Sequence, residues 1–359
     1  MNNRKIVIIN NGLALGGIQK ASSFLANSLD SLGHNVILLS LYKTNTIYFN
    51  LNKGIEFIEP TFDRSTNSPQ RYVLRMMLYI RKWLKLLKPD VILSFGEWTN
   101  SFVIIATRRL NIPVFVSDRM SPMLSLGLIQ NFLKKVMYKH ADGIIAQTSY
   151  AKNVLNKNTG NCNIKVIPNP VSIVNLVECP KKNQIITIGR LSKEKGHKYL
   201  IDAFSKIKNK QWQLLIVGDG TERQSLEMQC IDLGLNHRVT FVGGQKELSN
   251  YLSESKIFVL PSLSEGYPNA LIEAMTLPIA CISTDCIAGP GDIIKDEING
   301  LLVEPANSDM LAKAIDRLID DDCLGNFIAN NAYKIRDELN AEVIVDKYLS
   351  FVTTSVTLS

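Results

Sequence analysis

Short, nearly unbroken runs of Val, Ile and Leu recur along the 359 residues, and segments with helical spacing separate them. Clear examples are KIVIIN (5–10), DVILSF (90–95), QLLIVGDG (213–220) and IFVLPS (257–262). Runs without polar alternation are typical of strands buried on both faces, as in parallel sheets covered by helices. Strands that alternate with helices predict β-α-β units and therefore an α/β fold.

This pattern occurs twice, because IITIGRL (185–191) opens a second series of strands. The other predicted strands are 36–42, 114–118, 143–148, 165–171, 239–244, 279–284 and 300–305. The chain is also longer than one ordinary domain. We therefore expect two doubly wound domains with a boundary near residues 168–180, and ligands at the carboxyl ends of the strands, in the cleft between the domains.

The charges are divided unevenly between the two halves. Residues 1–172 contain 21 Lys and Arg but only 8 Asp and Glu, whereas residues 173–359 contain 19 and 25. A basic half indicates an anionic partner, such as nucleic acid, a phospholipid surface or a phosphorylated substrate. The chain has no helix-turn-helix, RNA-recognition or zinc-finger pattern, so we expect no nucleic acid partner.

The cellular compartment is indicated by the cysteines and the apolar segments. The six cysteines are scattered without a C-x-x-C pair, which predicts reduced thiols and no metal site. No segment approaches the roughly 18 to 20 apolar residues that span a bilayer. The N-terminus leads directly into a strand and a glycine turn, unlike a signal peptide. We expect a cytoplasmic protein, peripheral on the inner face of the cell membrane.

Two carboxylates flank a predicted helix start in SEGYPNALIEAM (264–275). Glu265 lies in the loop after a strand, and Glu273 lies one turn into the helix. The amides of residues 269–271 have no partners inside the helix and, with the helix dipole, form an anion site. A phosphate between two carboxylates that bind hydroxyl groups fits a nucleotide sugar. The alternative is a capped core helix with one solvated acid.

A basic loop follows the strand that opens the second half, in GRLSKEKGHKYLIDAF (189–204). It places Arg190 and Lys195 at the same end of the same sheet as Glu265. Two cations beside a helix N-terminus can neutralise a departing diphosphate without a metal ion. The alternative is that both cations are simply solvated, and His197 in this loop either packs or caps.

The ordered set of motifs resembles glycosyltransferase family 4 over nearly the whole chain. It consists of Gly16-Gly17, Gly189-Arg190-Leu191 with Lys195-Gly196, Glu265-Gly266-Tyr267-Pro268 leading to Glu273, STDCIAGPGDII (283–294) and NGLLVEP (299–305). The resemblance implies the GT-B architecture, in which two Rossmann-like domains face a central cleft. It implies an acceptor-binding domain at 1–172, a nucleotide-sugar-binding domain at 173–335, and a helix at 336–359 that packs back on the first domain.

The resemblance also implies roles for single residues. Arg190 and Lys195 would bind the donor diphosphate and stabilise it as it leaves, and Glu265 would reach the hydroxyls of the donor sugar. The other implied contacts are Glu273 with the ribose, the amides of Asn269, Ala270 and Leu271 with the distal phosphate, and the backbone of Gly16 and Gly17 with the donor phosphates or the acceptor. Family members transfer sugars with retention and without a metal ion, and we expect no cofactor besides the nucleotide sugar.

The sequence departs from the family pattern after the strand VFVSD (114–118). Many members carry a Glu-His pair there, whereas this chain has Asp118-Arg119-Met120. An arginine cannot act as a base near neutral pH. Arg119 could instead hold a phosphate or a carbonyl group of the substrate. Asp118 could orient Arg119 or cap the following helix.

Two basic amphipathic segments lie in the first half, at 70–88 and 128–140. The six cations of the first segment fall within about 140° of a helical wheel, and they are Arg71, Arg75, Arg81, Lys82, Lys85 and Lys88. The second segment adds Lys134, Lys135 and Lys139. Such helices can dock on anionic lipid, and we expect residues 70–140 to do so. The alternative is two packed helices with solvated cations.

These observations favour a retaining glycosyltransferase of cell-surface glycan synthesis. We expect it to move a hexose or an N-acetylhexosamine from a nucleotide-diphosphate sugar, with UDP favoured over GDP, to a lipid-linked or polysaccharide acceptor. One rival is a GT-B epimerase that acts on the free nucleotide sugar. The other is a non-enzymatic module whose basic face binds nucleic acid.

Overall fold

The chain forms two compact units, each with its own sheet. The computed structural model describes residues 3–14, 16–44, 47–65, 68–119, 125–171, 173–287 and 289–356. Unit 1 comprises residues 1–170 and 341–359, and unit 2 comprises residues 171–340.

Unit 1 contains a seven-stranded parallel sheet in the order β3-β2-β1-β4-β5-β6-β7. Its strands are β1 (Lys5–Asn10), β2 (Asn35–Ser40), β3 (Glu56–Ile58), β4 (Val91–Phe95), β5 (Val114–Asp118), β6 (Gly143–Ala146) and β7 (Ile164–Val166). The helices between them are α1 (Gly17–Ser31), α2 (Pro69–Leu87), α3 (Glu97–Thr107), α4 (Leu128–Met137) and α5 (Ser149–Thr159). The strands β1, β4 and β5 are buried almost completely, as the unbroken apolar runs predict.

Unit 2 contains a six-stranded parallel sheet in the order β10-β9-β8-β11-β12-β13. Its strands are β8 (Lys182–Ile188), β9 (Gln213–Val217), β10 (Val239–Gly243), β11 (Ser255–Leu260), β12 (Ala280–Thr284) and β13 (Leu301–Val303). Its helices are α6 (His197–Lys206), α7 (Arg223–Asp232), α8 (Ser249–Glu254), α9 (Asn269–Met275), α10 (Pro290–Ile293), α11 (Ser308–Asp320), α12 (Asp322–Tyr333) and α13 (Ile335–Glu338). Each unit buries a separate apolar core against its sheet.

The last helix, α14 (Ala341–Val356), belongs to unit 1. Tyr348 stacks on Phe95 at the end of β4, with ring centroids 6.4 Å apart, and Phe351 meets the edge of Phe115 in β5 at 5.3 Å. Aromatic pairs at these separations add to the free energy of burial. The helix begins five residues later than the sequence prediction of 336, because residues 335–338 form α13 within unit 2.

The prediction of two doubly wound α/β domains is confirmed, because both sheets are parallel and helices follow their strands. Every strand predicted from an apolar run is present. The strand β3 was not predicted, because it has only three residues and only Ile58 among them is buried. The cleft between the domains stays a prediction.

The basic segment 70–88 forms α2, whose buried face consists of Tyr72, Met76, Ile80 and Leu84 at four-residue spacing. The predicted cationic face is only partly available to a ligand. Arg81 donates hydrogen bonds from Nη1 to the carbonyl oxygens of Ala106 (2.8 Å) and Arg108 (3.0 Å), at the end of α3. A cation there satisfies carbonyl groups that the helix leaves unpaired, so Arg81 stabilises the fold.

Candidate active site

The loops that follow β8 and β11 meet at one edge of the sheet in unit 2. These strands are parallel neighbours, so their carboxyl ends lie side by side. The amide of Leu263 in the second loop donates to the carbonyl of Glu194 in the first, at 2.8 Å. This bond fixes the two predicted catalytic loops against each other.

The two loops bring Lys195 and Glu265 into direct contact. The Nζ of Lys195 lies 2.6 Å from Oε1 of Glu265, whose side chain is only 6% exposed. The hydroxyl of Ser262 donates to the same oxygen at 2.7 Å. Within the described residues, Oε2 of Glu265 accepts no hydrogen bond. The carboxylate is therefore held firmly through one oxygen, and the other can accept a hydrogen bond from a ligand hydroxyl.

Glycines allow these loops to approach backbone to backbone. A Cβ atom on Gly196, whose φ is +64°, would lie 2.1 Å from the carbonyl oxygen of Pro261. A Cβ atom on Gly218, at φ +148°, would lie 1.8 Å from the carbonyl oxygen of Gly189. Any larger residue would push the loops apart, and most also disfavour positive φ. The position of Lys195 thus depends on glycines in and beside its loop.

His197 is the first residue of α6 and is buried. Burial, and next the charge of Lys195, lower the pKa of His197 to about 4. Its Nδ1 has no hydrogen-bond partner within the described residues. The packing role considered from the sequence agrees with this position, and the imidazole is neutral at physiological pH.

Arg190 is not brought into the Lys195–Glu265 contact. Its side chain is exposed and forms no ion pair or hydrogen bond in the part of the chain that the structure describes. It contributes to the field around Glu194, whose pKa is lowered first by a hydrogen bond from Ser192 and then by Arg190 and Lys195. The guanidinium of Arg190, in the same loop as Lys195, can therefore bind a ligand.

The start of α9 offers fewer amides than the sequence predicts. The amide of Asn269 donates to the carbonyl of Tyr267 at 2.9 Å, so the expectation of three unpaired amides is wrong for Asn269. The amides of Ala270 and Leu271 have no backbone acceptor outside the helix among the described residues. Glu273 lies one turn into α9 and is half-buried.

The glycine pair of unit 1 lies at the start of α1, after the carboxyl end of β1. Gly16 immediately precedes the helix in an extended conformation, with φ of 171°. A Cβ atom on Gly17 would have no neighbour within 4 Å, so the backbone there faces open space. The position fits the close backbone approach that the family resemblance implies, and the assignment of a ligand to it stays a prediction.

Known proteins resemble this chain over both units. A family profile described as Glycosyl transferases group 1 matches residues 173–335, and one described as Glycosyltransferase Family 4 matches residues 15–174. An uncharacterized glycosyltransferase of Methanocaldococcus jannaschii, MJ1059, is 30% identical in an alignment 292 positions long, which covers 69% of this chain and 72% of that protein. The chain belongs to glycosyltransferase family 4.

Two further similarities extend over nearly the full length of this family 4 protein. A Campylobacter jejuni protein is 27% identical over 97% of this chain and 98% of its own. Its name is GalNAc-alpha-(1->4)-GalNAc-alpha-(1->3)-diNAcBac-PP-undecaprenol alpha-1,4-N-acetyl-D-galactosaminyltransferase. The crystal structure of Anabaena Alr3699/HepE in complex with UDP has a TM-score of 0.80 at 19% identity, covering 98% of this chain and 100% of that one. That likeness shows the shared fold.

Arg119 follows β5, where the family resemblance predicts a departure from the usual histidine, and its guanidinium is surrounded by residues of its own unit. Nε donates to Ser117 at 3.0 Å, Nη2 donates to the Tyr348 hydroxyl at 2.6 Å, and Nη1 donates to Asn169. Its Cζ lies 4.9 Å from the ring centroid of Phe95. The side chain thus connects β5 to α14, and each of its three nitrogens donates one hydrogen bond to the protein.

Neither predicted role of Asp118 has a supporting contact among the described residues. Its buried carboxylate forms an ion pair with Lys134 of α4, and no hydrogen bond or ion pair joins it to Arg119 in the described part of the chain. It does not cap α4 either, because that helix begins at Leu128 after Gly127. The basic segment 128–140 supplies the partner that the buried acid needs.

Glu97 is a buried acid of this family 4 enzyme that sequence reasoning missed. It is the first residue of α3, immediately after Gly96 at the end of β4, and its carboxylate accepts the backbone amide of Arg119. Burial, and next the charge of Asp118, raise the pKa of Glu97. The signal was present in SFGEW, where an acid follows a strand and a glycine at the same sheet edge as Arg119.

The described parts of the chain show neither a metal-ligand cluster nor a membrane-spanning helix. They contain no group of three or more His, Cys, Asp or Glu side chains placed to hold a metal ion. Among the described helices, none has the length and hydropathy that crossing a bilayer requires.

Proposed function

We propose that this glycosyltransferase moves a hexose or an N-acetylhexosamine from a nucleotide-diphosphate sugar, with UDP as the nucleotide, to a lipid-linked or polysaccharide acceptor of a cell-surface glycan. The observation that carries the proposal is the contact between Lys195 and Glu265, which leaves Oε2 of Glu265 open beside a cation. The Campylobacter jejuni relative is named for a diphospho-undecaprenol-linked substrate, and the HepE structure contains UDP. Both names agree with this pair of substrates.

The proposed donor site uses residues of both loops and of α9. The ammonium group of Lys195 and the guanidinium of Arg190 neutralise the diphosphate, and Oε2 of Glu265 accepts a hydroxyl of the sugar. The remaining proposed contacts are Glu273 with the ribose, the amides of Ala270 and Leu271 with the distal phosphate, and the backbone at Gly16 and Gly17 with the donor phosphates or the acceptor.

The proposed reaction retains the anomeric configuration and uses neither a metal ion nor a side-chain base. The bond between the anomeric carbon and the diphosphate oxygen breaks, and the acceptor oxygen bonds to that carbon from the same face. The acceptor proton moves to an oxygen of the leaving diphosphate. Preorganised cations stabilise the negative charge that develops on the leaving group, which is how electrostatic catalysis lowers a barrier.

The acceptor is proposed to reach the enzyme at a membrane. We place the protein in the cytoplasm, peripheral on the inner face of the cell membrane, with residues 70–140 facing anionic lipid; residues 120–124 of this range lie outside the described residues. The excess of Lys and Arg over Asp and Glu in residues 1–172 supports this proposal. Arg81 is excluded from that surface because it binds the end of α3.

A panel of nucleotide sugars tests the proposal by thermal stabilisation, since a ligand of the native state raises the melting temperature. We expect UDP to stabilise the wild type, and one UDP-sugar to stabilise it further and to be consumed only with an acceptor. Glu265→Gln should keep the shift caused by UDP, and transfer should fall by roughly 100-fold. Glu194→Gln, an exposed acid of the neighbouring loop, is the matched control.

Three results would contradict this function. They are no stabilisation by any uridine or guanosine nucleotide, full activity of Glu265→Gln, and conversion of the nucleotide sugar into an epimer without acceptor. The last result would favour the epimerase. Loss of transfer on addition of a chelator would overturn the proposal of metal independence alone.

A further inference from the structure

The first turn of α3 exposes a large aromatic side chain at the carboxyl edge of the sheet in unit 1. Trp98 is 50% exposed, whereas Trp212 is 4% exposed and Trp83 is partly buried. Phe102 and Ile105 follow Trp98 along the same side of the helix, and both are partly buried and pack against the core. Along α3, Trp98 is therefore a single exposed ring and not part of a larger apolar patch.

The backbone that carries Trp98 is fixed by the residues on either side of it. Glu97, the preceding residue, is 2% exposed, and its carboxylate accepts the amide of Arg119. Asn100 is fully buried, and its side-chain amide donates to the hydroxyl of Tyr138 at 3.1 Å. Buried polar contacts of this kind make a turn rigid, so the exposed ring of Trp98 is held at a defined place.

A hydrogen-bond donor lies beside the same turn. The strands β1 and β4 are parallel neighbours, so the loops that follow them meet at one edge of the sheet. Asn11 belongs to the first loop, and its Nδ2 would lie 3.2 Å from a Cβ atom on Gly96, whose φ is +145°. Within the described residues, this nitrogen donates no hydrogen bond, so it can donate to a hydroxyl of a ligand.

A sugar ring suits this combination of an aromatic face and an amide donor. The C–H groups on one face of a pyranose pack on an aromatic ring, and its hydroxyls need polar partners. In open α/β sheets, ligands bind outside the carboxyl ends of the strands, where the first turn of α3 lies. A single ring is a poorer site for a lipid chain or a protein partner, because it would bury little apolar area.

We propose that Trp98 is the platform on which a pyranose ring of the acceptor glycan stacks, and that the side-chain amide of Asn11 donates to a hydroxyl of that sugar. The inference rests on the proposed function and deepens it, because it assigns acceptor recognition to a named side chain. Glu97 is a positioning residue in this arrangement, since its buried carboxylate holds the turn that carries Trp98.

Saturation-transfer NMR with a panel of methyl glycosides of hexoses and N-acetylhexosamines, recorded with UDP present, tests the proposal. We expect at least one glycoside to bind through the C–H protons of one ring face. Trp98→Ala should weaken that binding by about tenfold, and Trp98→Phe should weaken it less, because an aromatic face remains. Phe327→Ala is the matched control and should bind like the wild type, since Phe327 is 52% exposed on α12 of unit 2.

Kinetics provide a second measurement for any glycoside of the panel that accepts the sugar. Trp98→Ala should raise the KM for that glycoside by about tenfold, because the stacking contact is lost, and leave the KM for the UDP-sugar unchanged. Trp98 is exposed, so an unchanged melting temperature will show that its variants fold.

The proposal is overturned if no glycoside binds, if Trp98→Ala binds as the wild type does, or if Phe327→Ala loses as much binding. It is also overturned if Trp98→Ala abolishes stabilisation by UDP, because the ring would then contact the donor. A protein that is stabilised by UDP but binds no glycoside would refute this inference and leave the proposed transferase function standing. Glycoside binding through Trp98 without stabilisation by any nucleotide would contradict the proposed function instead.

Discussion

Lys195 and Arg119 are both cations that follow a buried parallel strand, but their surroundings differ. Lys195 has one carboxylate partner, Glu265, and that partner keeps an oxygen free. Arg119 donates to Ser117, Asn169 and Tyr348 and lies over the ring of Phe95. Lys195 and Glu265 can therefore exchange a protein contact for a ligand contact, whereas every nitrogen of Arg119 already donates to a protein acceptor.

This difference shows that a position at the carboxyl edge of a sheet does not by itself define a ligand contact. Asn169 and Tyr348 lie 50 and 229 positions along the chain from Arg119. Contacts at such separations leave no local pattern in the sequence. The motif position predicted a substrate contact for Arg119, whereas the side-chain environment indicates a link between β5 and α14.

The largest expected effect is the loss of turnover on substitution of Lys195, whose carboxylate partner has an oxygen available to a ligand. Lys195→Ala should lower the turnover of the nucleotide sugar by about 10²- to 10³-fold, because the leaving diphosphate loses a preorganised positive charge. It should also weaken UDP binding, measured by thermal shift. Lys193→Ala, an exposed lysine of the same short turn, is the control and should behave like the wild type. Normal turnover by Lys195→Ala would remove the proposed role in leaving-group stabilisation.

A smaller effect, on the free energy of unfolding, is expected on substitution of Arg119. Arg119→Ala should lower the free energy of unfolding by about 3 kcal/mol, because partly buried acceptors on Asn169, Tyr348 and Ser117 lose their donor. The shift in the urea midpoint would measure this loss, and Arg71→Ala, an exposed arginine of α2, provides the baseline. A variant with wild-type stability but without donor or acceptor binding would restore the original ligand prediction for Arg119.

The sequence predicted the features that depend on local patterns. Apolar runs located every strand except β3, and the strand-loop-helix motifs located Lys195, Glu265 and the start of α9. Features that depend on distant partners were missed or misread. The carboxylate of Asp118 pairs with Lys134 in α4, and Glu97, the first residue of α3, accepts the amide of Arg119. The amide of Asn269 donates to the carbonyl of Tyr267, and the residue types alone did not predict this tight turn.

His197 adds a third basic side chain to the comparison. It is uncharged and lies two positions after the charged Lys195. Its pKa is about 4 in the folded protein, below the value of about 6.5 in an unfolded chain, and burial is the main cause. The unfolded chain therefore binds the proton more readily, so the contribution of His197 to stability is present above about pH 6.5 and is lost as the pH falls toward 4.

Between pH 7 and pH 5, the wild type should lose about 2 kcal/mol of unfolding free energy through this one group. His197→Asn removes the titrating group, so the wild type should lose more stability than the variant as the pH falls, even if the variant is less stable at pH 7. Chemical unfolding at both pH values measures the two slopes, and His237→Asn, on the exposed surface of the same unit, is the control. Equal losses of unfolding free energy for the wild type and His197→Asn would contradict this prediction. They would mean that the imidazole is protonated in the folded protein as easily as in the unfolded chain. Water would then reach the sheet edge around Lys195 more readily than the contact between the two loops indicates.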